Sequence, residues 1–423
     1  MFMKYRGIAV LMATLIAIVP AGVISAQNNG DAAPTNANRL PLASFVRAII
    51  DASPEVNAAR AALDASTAFE GAAGRPLYNP ELEFEFENAD SETRAIGISQ
   101  TIDWGGKRRA RTSLAESERR SVEADYIAVR WQVAIDLMSA LAGHQTESDR
   151  RALAGVRVDT MQDFATLAQR RFDIGDISQI ELNLAMLANT QARMQKATAA
   201  ANVAEARQAV TSIAIGSPSS EWPQLETTLP AIVASSADAQ EFVMRLPDVR
   251  AAQFQVAAAA ALVELRRRER RLDPTITLRG GKEDDENLVG VNVTVPIPIR
   301  NRFTYEVTAA SAARRQAQQS ASDVMRRAYA RFTGALERYQ LSRDAWQDWE
   351  DTGNVSLRRQ TELLRRLWEA GELSTTDFLV QITQTLDTGE SALELRQAMW
   401  RAWFEWLTAS GQLREWLGPE AIR

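Results

Sequence analysis

Apolar residues along the chain recur at two different periods. Leu82, Phe84 and Phe86 alternate with Glu83, Glu85 and Glu87, and Ile96, Ile98, Gln100 and Ile102 alternate with Gly97, Ser99 and Thr101. The same pattern returns at Ile276 and Leu278 between Thr275, Thr277 and Arg279, and at Val289, Val291, Val293 and Val295 around Gly290, Asn292 and Thr294. A period of two predicts strands with one apolar and one polar face. Elsewhere the spacing is three and four: Met325, Ala328, Phe332, Ala335, Tyr339, Ser342, Trp346, Trp349, and Leu379, Ile382, Leu386, Gly389, Leu393, Arg396, Trp400, Trp403, Leu407. A shorter seam runs through Ile180, Leu184, Leu187, Gln191 and Met194. Such seams predict coiled-coil helices, although an ordinary bundle core would produce them too.

Proline placement sets the helix lengths, because proline breaks a helix interior. All 14 prolines lie outside the windows Pro80 to Pro218 and Pro298 to Pro419, so each window has room for helices far longer than average. The windows repeat each other. Ser53-Pro54-Glu55-Val56 recurs as Leu246-Pro247-Asp248-Val249, Asn79-Pro80 as Asp273-Pro274, and Phe172 to Ser178 as Trp368 to Ser374, at shifts of 193, 194 and 196 residues. The chain reads as an internal duplication. Residues 27–230 form the first repeat, with strands over about 81–88 and 94–102 and long helices over about 106–173 and 178–215. Residues 231–423 form the second, with strands over about 274–282 and 287–296 and helices over about 302–369 and 374–417. The expected fold is mainly α with a small β part.

Composition narrows the chemistry. The 423 residues hold no Cys and one His, His144, which removes thiol nucleophiles, disulfides, zinc ribbons and histidine cages. No enzyme activity, cofactor or metal site is expected, and His144 reads as structural. A net charge of −6 argues against a nucleic-acid partner. Lys4 and Arg6, an apolar run from Ile8 to Ile24 and Ile24-Ser25-Ala26 read as a cleavable signal peptide over residues 1–26, and no Cys is present for a lipid anchor. Removing that segment takes the charge from −6 to −8, since it carries two basic residues and no acidic one.

Charge also divides the strands end from end. Both hairpin turns, Asn88 to Thr93 and Glu283 to Asn287, are acidic. The opposite ends carry Arg75, Lys107, Arg108, Arg109, Arg111, the run Arg266 to Arg271, Arg300 and Arg302. If the hairpins cross a bilayer, Lys107, Arg108, Arg109, Arg300 and Arg302 form a collar at the lipid head groups; otherwise they are solvated helix ends. Four strands cannot close a barrel, and open edges are not tolerated in hydrocarbon, so several copies must share one. The helix from about Gly106 to Phe172 would run roughly 100 Å, the length of a tunnel rather than of a globular core.

With these features the chain resembles the TolC-type outer-membrane efflux protein family, and within it the CzcC-like heavy-metal branch. The duplication carries the resemblance, together with Asn79-Pro80-Glu81-Leu82, the junction Ile98 to Arg108 (Ile-Ser-Gln-Thr-Ile-Asp-Trp-Gly-Gly-Lys-Arg), and Val295-Pro-Ile-Pro-Ile-Arg-Asn-Arg302. It implies a homotrimer with a shared twelve-stranded barrel in the outer membrane and a helical tunnel in the periplasm. It also implies a periplasmic membrane-fusion adaptor and, through it, an inner-membrane pump of the resistance-nodulation-division class. Divalent heavy metal is the implied cargo. Drug or polypeptide export by the same channel type, or a soluble periplasmic scaffold, are the alternatives.

The resemblance also nominates residues. The family's tip motif falls on Phe172, Gly175 and Ser178, and on Trp368, Gly371 and Ser374, as adaptor contacts; the commoner aromatic there is Tyr. Glu181 and Asp377 occupy positions of pore or gate carboxylates. Ser178-x-x-Glu181 is equally a helix capping box, and Ser374-x-x-Asp377 approximates one. Glu83, Glu85 and Glu87 would line the barrel lumen and favour cations. The acidic turn Glu283-Asp284-Asp285-Glu286 is either solvated or a weak calcium or magnesium site.

Overall fold

The computed structural model describes residues 39–88 and 91–418; the expected signal peptide lies outside them. Helix α1 (Arg39–Ala52) leads into α2 (Pro54–Ala73), which begins on the N-cap Ser53 with proline in its first turn, a favoured start. Strands β1 (Glu81–Asn88) and β2 (Glu92–Thr101) follow, then α3 (Lys107–Asp173) and α4 (Gln179–Ile213). A connector containing two short 3₁₀ turns and α5 (Ala239–Val243) reaches α6 (Pro247–Glu269). The order then recurs with β3 (Thr275–Glu283), β4 (Glu286–Thr294), α7 (Thr304–Asp348), α8 (Asn354–Glu369) and α9 (Thr375–Ser410), ending in α10 (Leu413–Leu417). The fold is mainly helical with one small sheet.

All four strands share that sheet in the order β1-β2-β3-β4, each antiparallel to its neighbour. The second hairpin is therefore zipped onto the first through β2 and β3. Gly281 makes this seam possible: a Cβ there would sit 2.0 Å from the Arg94 carbonyl oxygen. At the hairpin ends Asp284, at φ 51°, donates its N–H to the Glu92 carbonyl and accepts the Glu92 N–H on its carboxylate, both at 2.8 Å.

Two apolar cores hold the helices. One joins α1, the middle of α3, the connector, α7 and the end of α9 around Phe332, Tyr339, Trp403 and Trp406. The other joins the end of α3, the start of α4, the end of α8 and the start of α9 around Phe164, Trp368 and Phe378. Between them charge replaces grease: Arg157 donates to Gln195 at 3.0 Å and to Asp387 at 2.5 Å, and Arg396 pairs with Asp149.

Two expectations about helix ends need correction. The helix expected over 302–369 is interrupted by a π-helical turn, Trp349–Gly353. The indole of Trp349 folds onto Gly353, where a Cβ would fall 2.2 Å from the ring. The helix expected to reach 417 stops at Ser410, because Gly411 turns left-handed at φ 75°. The α4 seam points outward: Ile180, Leu184, Leu187 and Met194 are exposed, while Leu182, Ala185, Ala192, Ala199, Val203 and Val210 face this chain's core.

Candidate functional site

The sheet separates two surfaces. Strand register aligns Glu83, Gly97, Arg279 and Gly290 across one face, with Glu81, Ser99, Thr277 and Asn292 beside them. The other face aligns Leu82, Ile98, Leu278 and Val291, then Phe84, Ile96, Gly280 and Val289. Accessibility is inverted relative to a water-facing sheet: Phe84 is 75% exposed and Val289 86%, while Ser99 is 2% and Thr277 7%. On the polar face the small residues Ala95, Gly97 and Ser99 of β2 are buried, while the apolar face is exposed from strand to strand. Glu83, Glu85 and Glu87 lie on the polar face, and Glu85 pairs there with Arg279 at 3.0 Å. No helix among the described residues is long and apolar enough to cross a membrane.

Below the strands, the junction motifs acquire separate mechanical roles. Asp103 caps α3 by accepting the Lys107 and Arg108 N–H groups at 2.7 and 2.8 Å. Its burial raises the carboxyl pKa, but these donors and the Lys107 charge hold it below the usual value. Gly106 adopts φ 67°, and Gly105 passes so close to Arg268 that a Cβ would lie 3.2 Å from its carbonyl. The hub is Asp273, 5% exposed, which accepts from Lys107 Nζ and from the Tyr78 hydroxyl, each at 2.7 Å. Burial, and then Asp273, push the Tyr78 pKa up to about 12. Lys107, expected in a head-group collar, is thus turned onto an internal partner instead. Arg108, Arg109, Arg300 and Arg302 remain exposed, with no carboxylate partner among the described residues. The repeat match Asn79-Pro80 to Asp273-Pro274 was the signal pointing to Asp273.

At the far end of the helices both turns use one backbone device. Gly175 and Gly371, at φ 79° and 78°, donate to Phe172 and Trp368 carbonyls at 2.9 and 3.1 Å. Asp176 and Glu372 reach back five residues to Arg171 and Leu367, completing a Schellman motif in each. Ser178 then caps α4 in a full capping box, its N–H donating to Glu181 at 2.8 Å and its hydroxyl accepting the Glu181 N–H at 3.3 Å. The Ser178 N–H and hydroxyl hold the Glu181 pKa below its usual value. Ser374 accepts the Asp377 N–H at 3.1 Å and donates to its carboxylate at 2.7 Å, so both acids cap helices.

The tip aromatics differ. Phe172 is half-buried, whereas Trp368 is 2% exposed and stacked among Phe164 and Phe378, so Trp368 is a core residue rather than a surface contact. Sequence reading missed Arg171. Its guanidinium lies 4.3 Å over the Trp368 ring and donates to the Trp368 carbonyl at 2.7 Å, tying one turn to the other. Its only sequence signal was a basic residue in the last turn of α3. Among the described residues no cluster of three or more His, Asp or Glu side chains is placed to hold a metal ion.

Comparison with known proteins gives this geometry a context. Residues 46–215 match the outer membrane efflux protein family. Over 235 residues the chain is 29% identical to the cobalt-zinc-cadmium resistance protein CzcC of Cupriavidus metallidurans. That stretch is 54% of this chain and 56% of CzcC, so the match spans about half the length of that relative. The backbone is similar to solved CusC, with a TM-score of 0.72 at 15% identity over 88% of this chain and 91% of that one. It is also similar to the CmeC outer membrane channel of Campylobacter jejuni, with a TM-score of 0.72 at 14% identity over 95% of each chain. At such identities the likeness is one of fold.

Proposed function

We propose that this chain, similar over residues 46–215 to the outer membrane efflux proteins, is a TolC-type channel of the outer membrane that serves a tripartite efflux system and passes divalent heavy-metal cations. The observation that carries this reading is the four-stranded sheet, apolar and exposed on one face, polar on the other with Ala95, Gly97, Ser99 and Thr277 buried there, and with free outer edges on β1 and β4. A bilayer accepts such a sheet only when every edge is paired. Three copies joined β4 to β1 give twelve strands, an even number within the range of membrane barrels. The apolar face then meets lipid, and the carboxylates line a wet lumen. Arg108, Arg109, Arg300 and Arg302 sit at the strand feet, where lipid phosphates end.

Helix α3, 67 residues and about 100 Å long, carries the conduit into the periplasm. Its tip turns are the contact for a periplasmic adaptor, and through the adaptor for an inner-membrane pump. The outward stripe of Ile180, Leu184, Leu187 and Met194 supports contact there with a further chain, since it is exposed among the described residues. Glu181 and Asp377 cap the turns and present a ring of carboxylates at the aperture. Similarity to CzcC and the acidic face support a metal cargo. The chain itself catalyses no reaction in this role; the pump supplies the energy.

The test is the zinc, cobalt, cadmium and copper content of a deletion strain and its complemented parent after metal challenge. Metal accumulation reversed by complementation is expected. Unchanged metal content with the gene expressed would sink the metal assignment and leave drug or polypeptide export by the same channel. Extraction without detergent and absence of bilayer conductance would instead identify a soluble scaffold.

A further inference from the structure

On its polar face the sheet carries Glu81, Glu83, Glu85 and Glu87 from β1, Glu283 from β3 and Glu286 from β4, but among the described residues a single cation, Arg279. The duplication makes that cation conspicuous. A shift of 194 residues, the one that maps Asn79 onto Asp273, maps Glu85 onto Arg279, so a position acidic in the first repeat is basic in the second. The two side chains meet across β2, Arg279 Nη1 lying 3.0 Å from a Glu85 carboxylate oxygen, with both side chains nearly half exposed.

Small residues clear the space around the arginine. Gly97 and Gly290 flank it in register on either side. A Cβ on Gly290 would stand 3.0 Å from Arg279 Nε and 3.3 Å from its Cγ, and one on Gly97 would stand 3.4 Å from its Cβ. The stem therefore lies low along the sheet, keeping the guanidinium at the wall of the lumen instead of across it.

We propose that Arg279 is a selectivity-determining residue of the channel: by pairing with Glu85 it moderates the cation preference of the mid-barrel lumen. This rests on the channel reading above. Glu83, Glu85 and Arg279 sum to −1 per chain at this level. Removing the guanidinium makes the sum −2, removing the Glu85 charge makes it 0, and removing both restores −1. Screening over about 8 Å confines the effect to this part of the lumen and keeps it moderate.

The full-length protein reconstituted in planar bilayers under a potassium chloride gradient reports the balance as a reversal potential. Relative to the unmodified protein, R279Q is expected to raise the cation-to-anion permeability ratio about twofold and E85Q to lower it about twofold. The E85Q/R279Q double variant and R279K are expected to match the unmodified ratio. Conducting R279Q and E85Q channels with unchanged ratios would overturn the proposal, and so would an R279K shift as large as that of R279Q. Failure of the unmodified protein to conduct at all overturns the channel reading and this proposal with it. Because E85Q probes the pair from the other side, the proposal stays exposed to test even if one variant does not assemble.

Discussion

Lys107 illustrates how neighbours in sequence part company in space. It precedes Arg108 and Arg109, and along the chain the three look like one basic patch. Successive helical positions diverge by about 100°, however, and the first of them reaches Asp273 while the others stay in solvent. With side chains only 13% and 4% exposed, the pair is largely withdrawn from water. Removing one partner of such a pair costs more than removing both. Lys107→Met should lower stability by about 3 kcal/mol, and Lys107→Met combined with Asp273→Leu by less, in detergent-solubilised protein followed by thermal unfolding. Equal losses in the two variants would mean that the pair contributes packing and little charge pairing.

At the scale of elements, the connector between α4 and α6 behaves as a strap. Leu225 exchanges hydrogen bonds with Gln145 of α3, its N–H donating at 3.0 Å, and the Tyr339 hydroxyl of α7 donates to the Pro230 carbonyl at 2.7 Å. His144 meets Trp222 edge-on, with ring centroids 5.0 Å apart. Burial, then Arg207 and Arg151, lower the His144 pKa from the ordinary 6.5. As pH falls through 6.5 the unfolded chain takes up its proton first, so stability is full above that value and declines below it until the folded imidazole also protonates. Amide exchange over residues 214–238 should therefore be faster at pH 5.5 than at pH 7.5, after correction for intrinsic rates, and His144→Gln should abolish the difference. A difference that persists in the variant would assign the pH response to another group.

Much of the whole molecule was legible because its main signals are periodic. Long proline-free windows mark long helices, and period-two runs such as Leu82, Phe84 and Phe86 mark strands whose face is readable without knowing their partners. What stayed hidden is non-periodic or long-range. The π turn depends on one glycine beneath one indole, the Arg171 staple joins residues 197 apart, and Glu85 meets Arg279 only after β2 and β3 have zipped. The α4 seam was legible as a stripe but not as to its owner, since spacing reports that a face is apolar and not which surface will cover it. Tip residues divided similarly: backbone demands fix Gly175 and Gly371, whereas tertiary packing decides that Trp368 is core and Phe172 is half-buried.

The open edges of β1 and β4 have a genetic consequence. In the proposed ring of three, every chain would be both donor and acceptor of a strand seam, so one faulty chain would spoil the pore for two sound ones. A substitution such as Phe84→Pro removes an N–H from β1 and imposes a backbone the ladder tolerates poorly, while the helices, far from it, can still recruit normal partners. Expressed in equal amounts beside the normal gene, it would leave roughly one ring in eight free of the altered chain. The phenotype should be dominant, with resistance falling well below half. A recessive phenotype would indicate that altered chains are excluded before assembly, placing the checkpoint at the level of the single chain.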